Sequence, residues 1–368
     1  MKAKQTDRRA FAVIFALASL VGCLSSAGGE PVDPAPTPLP RRDDGGSPMV
    51  PAAGGDASSD SPSAADAQAA GSPSCSTLPR NCGPQGDEEC CSAPVVPGGA
   101  FLRAYDGAEF SSATLPATVG AFELDRFEVT VGRFRSFVTS YPKSKPAAGA
   151  GRNESNPLDK GWDELSWNGI LPPDAQTLSS ALQCGSATWT TAPGANEAKP
   201  INCVNWFEAF AFCAWDGKRL PTEAEWNFAA SGGNEQRVYP WSSPPQSTNV
   251  DTTYANYNCT GDGSQSGNCS VTDILFVGAR SPRGDGRWSH ADLGGGMWEL
   301  VMDWSGPYPE PCKDCANLTP GTQRTIKGGS FQDTANVLRS AVRSVSLSPD
   351  TRTPNIGFRC ARTLRSEL

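Results

Sequence analysis

Arg219-Leu220-Pro221-Thr222-Glu223-Ala224-Glu225-Trp226 is the stretch that decides the fold of this 368-residue chain. Pro221 fixes φ at the end of a loop, Thr222 has the side chain of an N-cap, and Glu225 stands three residues on, where it closes a capping box. This spacing predicts a helix start, and Gly232-Gly233 closes the helix. Upstream, Asn205-Trp206-Phe207-Glu208 repeats the arrangement. The helix it opens, up to about Asp216, is apolar nearly all round and so belongs in a core; Gly217 ends it. Farther out, Thr130 precedes a segment with Phe134, Phe137 and Val138 on one helical face.

Beyond these helices the pattern is irregular. Segments 122–127, 325–327 and 357–361 read as short strands, separated by long connections rich in Gly, Pro, Asn and Trp. Connections of that length inside a compact domain are functional, or are pinned by disulfides and ions. With 10 Trp and little helix, the expectation is a loop-rich α+β domain of low regular secondary structure, stabilised by disulfides.

These blocks resemble the formylglycine-generating enzymes, the sulfatase-modifying factor family. Phe122-Glu123-Leu124-Asp125-Arg126-Phe127-Glu128-Val129-Thr130 is similar to the family's opening (M/L)D-x-(Y/F)-E-V-T. Pro200-Ile201-Asn202-Cys203-Val204-Asn205-Trp206 through to Trp226 resembles its most recognisable block. Tyr239-Pro240-Trp241, Gly296-Met297-Trp298-Glu299 with Asp303-Trp304, Lys327-Gly328-Gly329-Ser330-Phe331 and Gly357-Phe358-Arg359 follow in family order. The resemblance spans roughly residues 97–362 and implies the family fold, a relative of C-type lectins, over residues 97–363. It also implies a structural disulfide between Cys213 and Cys360, and structural Ca²⁺ on Asp292, Gly295, Met297 and Glu299. Two carboxylates and two carbonyls are hard oxygen ligands suited to that ion. Gly296 replaces the family's usual Asn. A second Ca²⁺ site would use Asn256 and Tyr257.

The family's oxidase chemistry is not expected to carry over. The resemblance implies copper bound by two Cys shortly after the Gly-Gly-Ser-aromatic block, but here Gln332 is followed by Asp333. The second position falls near residues 336–338, and there is no Cys between Cys315 and Cys360. Two thiolates make a soft site suited to Cu(I), and one Asp does not replace them. Other branches of the superfamily bind iron through a His cluster, whereas His290 is the only His. Neither copper nor iron is expected, and no residue is assigned as catalytic. Trp298, Ser330, Phe331 and Asp333 would line the former substrate cleft. Arg339, Arg343 and Arg359 are expected to pair with buried carboxylates such as Glu223, Glu225 or Glu299.

From the N-terminus this domain is expected outside the cell. Lys2, Lys4, Arg8 and Arg9 precede a short apolar run that ends in Leu20-Val21-Gly22-Cys23. This is the pattern of a lipoprotein signal peptide over residues 1–22, with Cys23 acylated and seated in a bilayer. Leu24 and Ser25 favour the outer membrane or cell surface over retention at the inner membrane. Residues 23–74 read as a disordered stalk, aromatic-free from Leu24 on and rich in Pro, Ala, Ser and Gly, with a reach on the order of 40 Å. Residues 75–96 form a Cys-rich segment. Without Cys23, the 13 Cys leave an even set, as an exported disulfide protein requires. Cys75, Cys82, Cys90 and Cys91 are expected to form two bridges, with neighbouring Cys90 and Cys91 not joined to each other. Cys259 and Cys269 would close one loop, and Cys312 with Cys315 a second rather than a zinc or redox site.

The mature chain carries a formal charge of about −11 once the signal's basic residues are lost. An acidic chain with no basic stripe is a poor nucleic-acid binder. Three function classes follow. The preferred one is an envelope lipoprotein that binds an extracellular protein, peptide or glycan without catalysis. The second is a formylglycine-generating oxidase or an enzyme of altered chemistry. The third is a structural envelope protein.

Overall fold

Both capping boxes form. In the computed structural model, which describes residues 71–264 and 269–364, Thr222 accepts the Glu225 N–H at 3.1 Å and Glu225 accepts the Thr222 N–H at 2.9 Å. Asn205 and Glu208 exchange the same pair of bonds. The expected signal peptide, the lipidated Cys23 and most of the stalk lie outside the described residues.

The helices are α1 (Val131–Thr139), α2 (Glu164–Trp167), α3 (Ala175–Ala181), α4 (Trp206–Trp215) and α5 (Glu223–Ala230). Thr130 caps α1 by accepting the Arg133 N–H. Every residue of α5 and all but the last two of α4 are buried, as an all-round apolar helix requires. Phe134 of α1 stacks on Phe212 of α4, with ring centroids 5.5 Å apart, and Phe358 packs edge-on against both. This cluster, with Trp162, Trp206 and Phe210, makes the larger core. Trp226 and Phe228 of α5 anchor a second core with Val96, Phe122 and Leu124.

Ten short strands surround these helices among the described residues: β1 (Val95–Val96), β2 (Gly99–Leu102), β3 (Pro116–Val119), β4 (Phe122–Leu124), β5 (Trp298–Trp304), β6 (Cys312–Lys313), β7 (Arg324–Lys327), β8 (Ser344–Leu347), β9 (Ile356–Gly357) and β10 (Ala361–Thr363). They form three small sheets, β1-β4-β10, β2-β3-β6 and β8-β7-β5-β9. The architecture is α+β and loop-rich.

Two strand expectations are corrected. The strand expected over 122–127 stops at Leu124, because Asp125 turns its carboxylate inward to receive Arg133 at 2.8 Å and Lys218 at 2.6 Å. Segment 357–361 is not one strand. Gly357 pairs with Glu299 of β5, whereas Ala361 pairs with Leu124 in a different sheet. Phe358, Arg359 and Cys360 cross between the two sheets with 0 % exposure each.

The end of the expected stalk is corrected as well. Ser72 and Ser74 are buried. The Ser74 N–H donates to Asp216, and its hydroxyl receives Arg133 Nε at 3.1 Å. Small polar residues read as linker in sequence, yet here they complete a buried ion network. All described residues fall within one compact unit that includes the Cys-rich segment.

Cys75 joins Cys91 and Cys82 joins Cys90, the two-bridge knot expected from their clustering. Cys213–Cys360, Cys259–Cys269 and Cys312–Cys315 also form. A sixth bridge, Cys184–Cys203, had no sequence signal that picked out its partners. No helix among the described residues is long and apolar enough to cross a membrane.

Candidate functional site

Strand β7 delivers Lys327 to the Gly328-Gly329-Ser330 turn, where two glycines adopt φ of 98° and 74°. A Cβ on Gly329 would lie 2.9 Å from the Leu338 side chain, so the turn needs both the left-handed backbone and the missing side chain. Asp333 then folds back onto it. Its Oδ2 accepts the Ser330 backbone N–H at 2.9 Å and the Ser330 hydroxyl at 2.6 Å. The carboxylate that the sequence reading set at the first copper-thiolate position is thus engaged in holding the turn.

The four residues expected to line a cleft do not do so together. Trp298 is 5 % exposed, and Ser330 and Phe331 are fully buried. Trp298 packs into the larger core, while Phe331 packs with Ile274 and Met297 in a separate cluster. The reason is apolar burial, which draws Trp298 and Phe331 into two different clusters and leaves neither on an open face. Only Asp333 retains partial exposure.

The calcium ligands expected at Asp292, Gly295, Met297 and Glu299 meet a related difficulty. Glu299 receives Arg359 through Nε at 2.8 Å and Nη2 at 2.7 Å, and Trp226 Nε1 at 2.8 Å. Three donors occupy this carboxylate, and a bidentate guanidinium is its counter-charge. Asp292 accepts the Gly278 N–H at 2.6 Å, and burial pushes its carboxyl up to about 6. Beside it lies Glu128, which sequence reasoning quoted only as part of the family's opening motif. Burial, then the charges of Asp292 and Glu299, hold Glu128 well above the usual carboxylate range. Glu128 accepts the Met297 N–H at 2.9 Å, so the Met297 amide faces a carboxylate. The expected set therefore has its Glu committed to Arg359.

The second expected site fits a cation better. Asn256 and Asp273 are buried, and among the described residues Asn256 Oδ1 and Asp273 Oδ1 each lack a hydrogen-bond partner. The Asn256 amide donates to the Asp273 carbonyl at 2.8 Å, which brings the two residues together. Buried oxygens left without donors are costly, and hard oxygens of this type are what Ca²⁺ takes. Sequence reasoning named Asn256 and Tyr257 but missed Asp273. Its signal was Ser270-Val271-Thr272-Asp273, a capping box that forms around one short 3₁₀ turn. Among the described residues, no group of three or more His, Cys, Asp or Glu is placed to hold a metal ion.

The expected arginine pairs mostly form. Arg359 meets Glu299 and Arg343 meets Glu223 at 2.9 Å. Arg339 instead meets Asp106 at 2.9 Å, and Glu225 takes Arg219.

An open polar groove adjoins Asp333. Asn258 donates its N–H to the Asp333 carbonyl at 2.9 Å, and Cys259 donates to the Phe331 carbonyl at 2.7 Å. Asn258, Thr252, Thr260, Asp262, Ser264 and Arg280 line a space of about 670 Å³. None of these residues was singled out from the sequence, since single Thr, Ser and Gly positions carry no periodic signal.

Comparison with known proteins identifies the family. The sulfatase-modifying factor enzyme 1-like domain family matches residues 80–364. The mouse formylglycine-generating enzyme is 29% identical over 290 residues, covering 72% of this chain and 73% of that protein. The formylglycine-generating enzyme of Streptomyces coelicolor is 31% identical over 268 residues, 65% of this chain and 77% of its own length. The bovine inactive C-alpha-formylglycine-generating enzyme 2 is 30% identical over 296 residues, covering 75% of this chain and 89% of that protein. Among solved structures, PvdO from Pseudomonas aeruginosa is 20% identical, with a TM-score of 0.49, over 73% of this chain and 93% of that one. With the motifs in family order and the family match spanning nearly all of the described residues, this chain belongs to the formylglycine-generating enzyme, or sulfatase-modifying factor, family.

Proposed function

We propose that this chain is an exported lipoprotein, anchored by an acylated Cys23 in the outer membrane or at the cell surface. Its family domain binds an extracellular protein, peptide or glycan instead of oxidising a cysteine. The observation that carries this reading is the fate of the thiols. Asp333 stands at the first copper position with its carboxylate bound to Ser330. Every Cys among the described residues is paired, in six disulfides. A soft copper site needs free thiolates. A relative of comparable identity that is itself described as inactive is consistent with this reading. The test is a combined glycan and peptide array probed with the full-length chain in detergent. Selective binding supports the proposal, and a blank array with folded protein would sink it.

Calcium has a structural place in this reading, on Asn256 and Asp273 rather than on Glu299. Bound Ca²⁺ would neutralise the Asp273 carboxylate and satisfy the two unpartnered oxygens. Chelation should then lower the thermal midpoint, and added Ca²⁺ but not Mg²⁺ should restore it, because Mg²⁺ dehydrates reluctantly. An unchanged midpoint after chelation would remove calcium from the account.

A further inference from the structure

The polar groove beside Asp333 has a composition unlike that of most small-molecule sites. Such sites are usually walled by apolar and aromatic side chains, with a few polar groups for orientation. Here the wall is Thr252, Asn258, Thr260, Asp262, Ser264 and Arg280, completed by glycines. Its volume of about 670 Å³ lies within the ~300–1,000 Å³ typical of ligand pockets. Among the described residues an apolar ligand would find little to pack against. A ligand rich in hydroxyls would find donors and acceptors throughout.

Arg280 narrows the class. Its neighbours each have a partner: Arg283 donates to the neutral Tyr254 hydroxyl, and Arg287 has its charge answered by Glu235. The Arg280 side chain makes no hydrogen bond or ion pair among the described residues, and its Nε is sealed from solvent without a partner. It also borders the small inner hollow lined by Glu128 and Asp292, yet forms no ion pair with either. A partly buried guanidinium without an acceptor is a costly arrangement, and a planar carboxylate is the group that satisfies it with two parallel bonds.

Asp262 narrows it further. Its Oδ1 accepts the Ser264 N–H at 2.8 Å, while among the described residues Oδ2 has only a long contact of 3.5 Å from the Thr272 hydroxyl. These bonds hold its carboxyl below the usual range, so it stays an ionised acceptor. A bare phosphate or sulfate drawn to Arg280 would meet this like charge. A neutral sugar would satisfy Asp262 but leave Arg280 unanswered. The hydroxyl of Thr260 already donates to the Tyr257 carbonyl at 2.7 Å, so toward the groove it is an acceptor for ligand hydroxyls. A molecule that carries a carboxylate and several hydroxyls answers all three groups at once.

We propose that this groove binds an acidic saccharide, with its carboxylate on Arg280 and ring hydroxyls donated to Asp262 and Thr260. The proposal rests on the binding function argued above and names its ligand class. The groove is tied through Asn258 and Cys259 to the turn that carries Asp333, so it lies against the segment that departs from the family's copper site.

The test is isothermal titration of the full-length chain in detergent with three probes: a galacturonic acid trisaccharide, the neutral galactose trisaccharide and a tri-glutamate peptide. The acidic trisaccharide should bind at least about tenfold more tightly than either of the others, a gap of ~1.4 kcal/mol. Arg280→Gln should reduce its affinity to that of the neutral sugar, with the thermal midpoint unchanged, and Arg280→Lys should restore it only in part. Asp262→Asn should weaken both sugars. Equal binding of acidic and neutral sugars, full affinity in R280Q, or no binding of the acidic trisaccharide would overturn the proposal. Tri-glutamate binding as tightly as the acidic sugar would overturn it in favour of an acidic peptide. Array hits that persist undiminished in R280Q would overturn this groove while leaving the broader binding function standing, whereas a blank array would remove both.

Discussion

Asp303 on β5 shows how much charge this domain buries away from any groove. It is 2 % exposed, and its two oxygens accept the N–H groups of Glu223 at 2.7 Å and Asn317 at 2.6 Å. Burial, and then the charge of Glu223, push its carboxyl up to about 7, with Arg343 opposing. Lys327 and Arg324 face the same cluster, and burial brings them down to about 8 and about 9. A raised folded-state pKa favours the protonated form. Its stabilising contribution is full below the unfolded value and is lost as pH rises through about 7. The urea midpoint should therefore fall from about pH 4 to about pH 8, and Asp303→Asn should flatten part of that fall. An identical slope in the variant would show that Asp303 does not titrate in this range. Residue pairing was only partly legible in sequence. Arg is the usual partner of buried carboxylates, so residue type led Arg343 and Arg359 to be expected on carboxylates such as Glu223 and Glu299, without saying which pairs with which. Arg339 found Asp106, 233 positions away, and no local pattern encodes such a contact.

At the scale of elements, the helices were legible because their caps are local. Thr222 and Glu225 bond each other across one turn, and so do Asn205 and Glu208. Thr222→Ala should cost about 1 kcal/mol in chemical unfolding, and Thr222→Ser close to nothing, because only the cap oxygen is at stake. A neutral alanine variant would mean that tertiary packing alone fixes the start of α5. The strands were less legible, since a sheet partner is chosen over long sequence distances. Leu124 of β4 pairs with Ala361, and β5 receives Ile356 from the far end of the chain. Nor did the apolar pattern disclose that Arg324 of β7 lies between Trp206 and Trp304, at 3.4 and 3.5 Å from the ring centroids. An arginine in a strand reads as an exposed position, but this one is held by two aromatic faces and donates to the Met302 carbonyl at 2.6 Å.

For the molecule as a whole, family motifs gave the fold and disulfides hold its ends. Cys213–Cys360 spans 147 residues and ties the last strands to α4. Replacing both cysteines by serine should lower stability by about 3–5 kcal/mol in the chain-entropy model, read as a drop in denaturation midpoint. A midpoint within error of the parent would show that packing around Phe212 and Phe358 suffices. The candidate site was the least legible part. The missing thiolates could be read directly at Asp333, but the burial of Trp298, Ser330 and Phe331 depends on how separate loops pack, and so does the groove they leave beside them. The central claim is that the family scaffold persists here without its copper chemistry. It is tested most directly by incubating the full-length chain with Cu(I), oxygen and a cysteine-containing peptide, and then weighing the peptide by mass spectrometry. The account predicts that the peptide cysteine is not converted to formylglycine; conversion at that cysteine would contradict it.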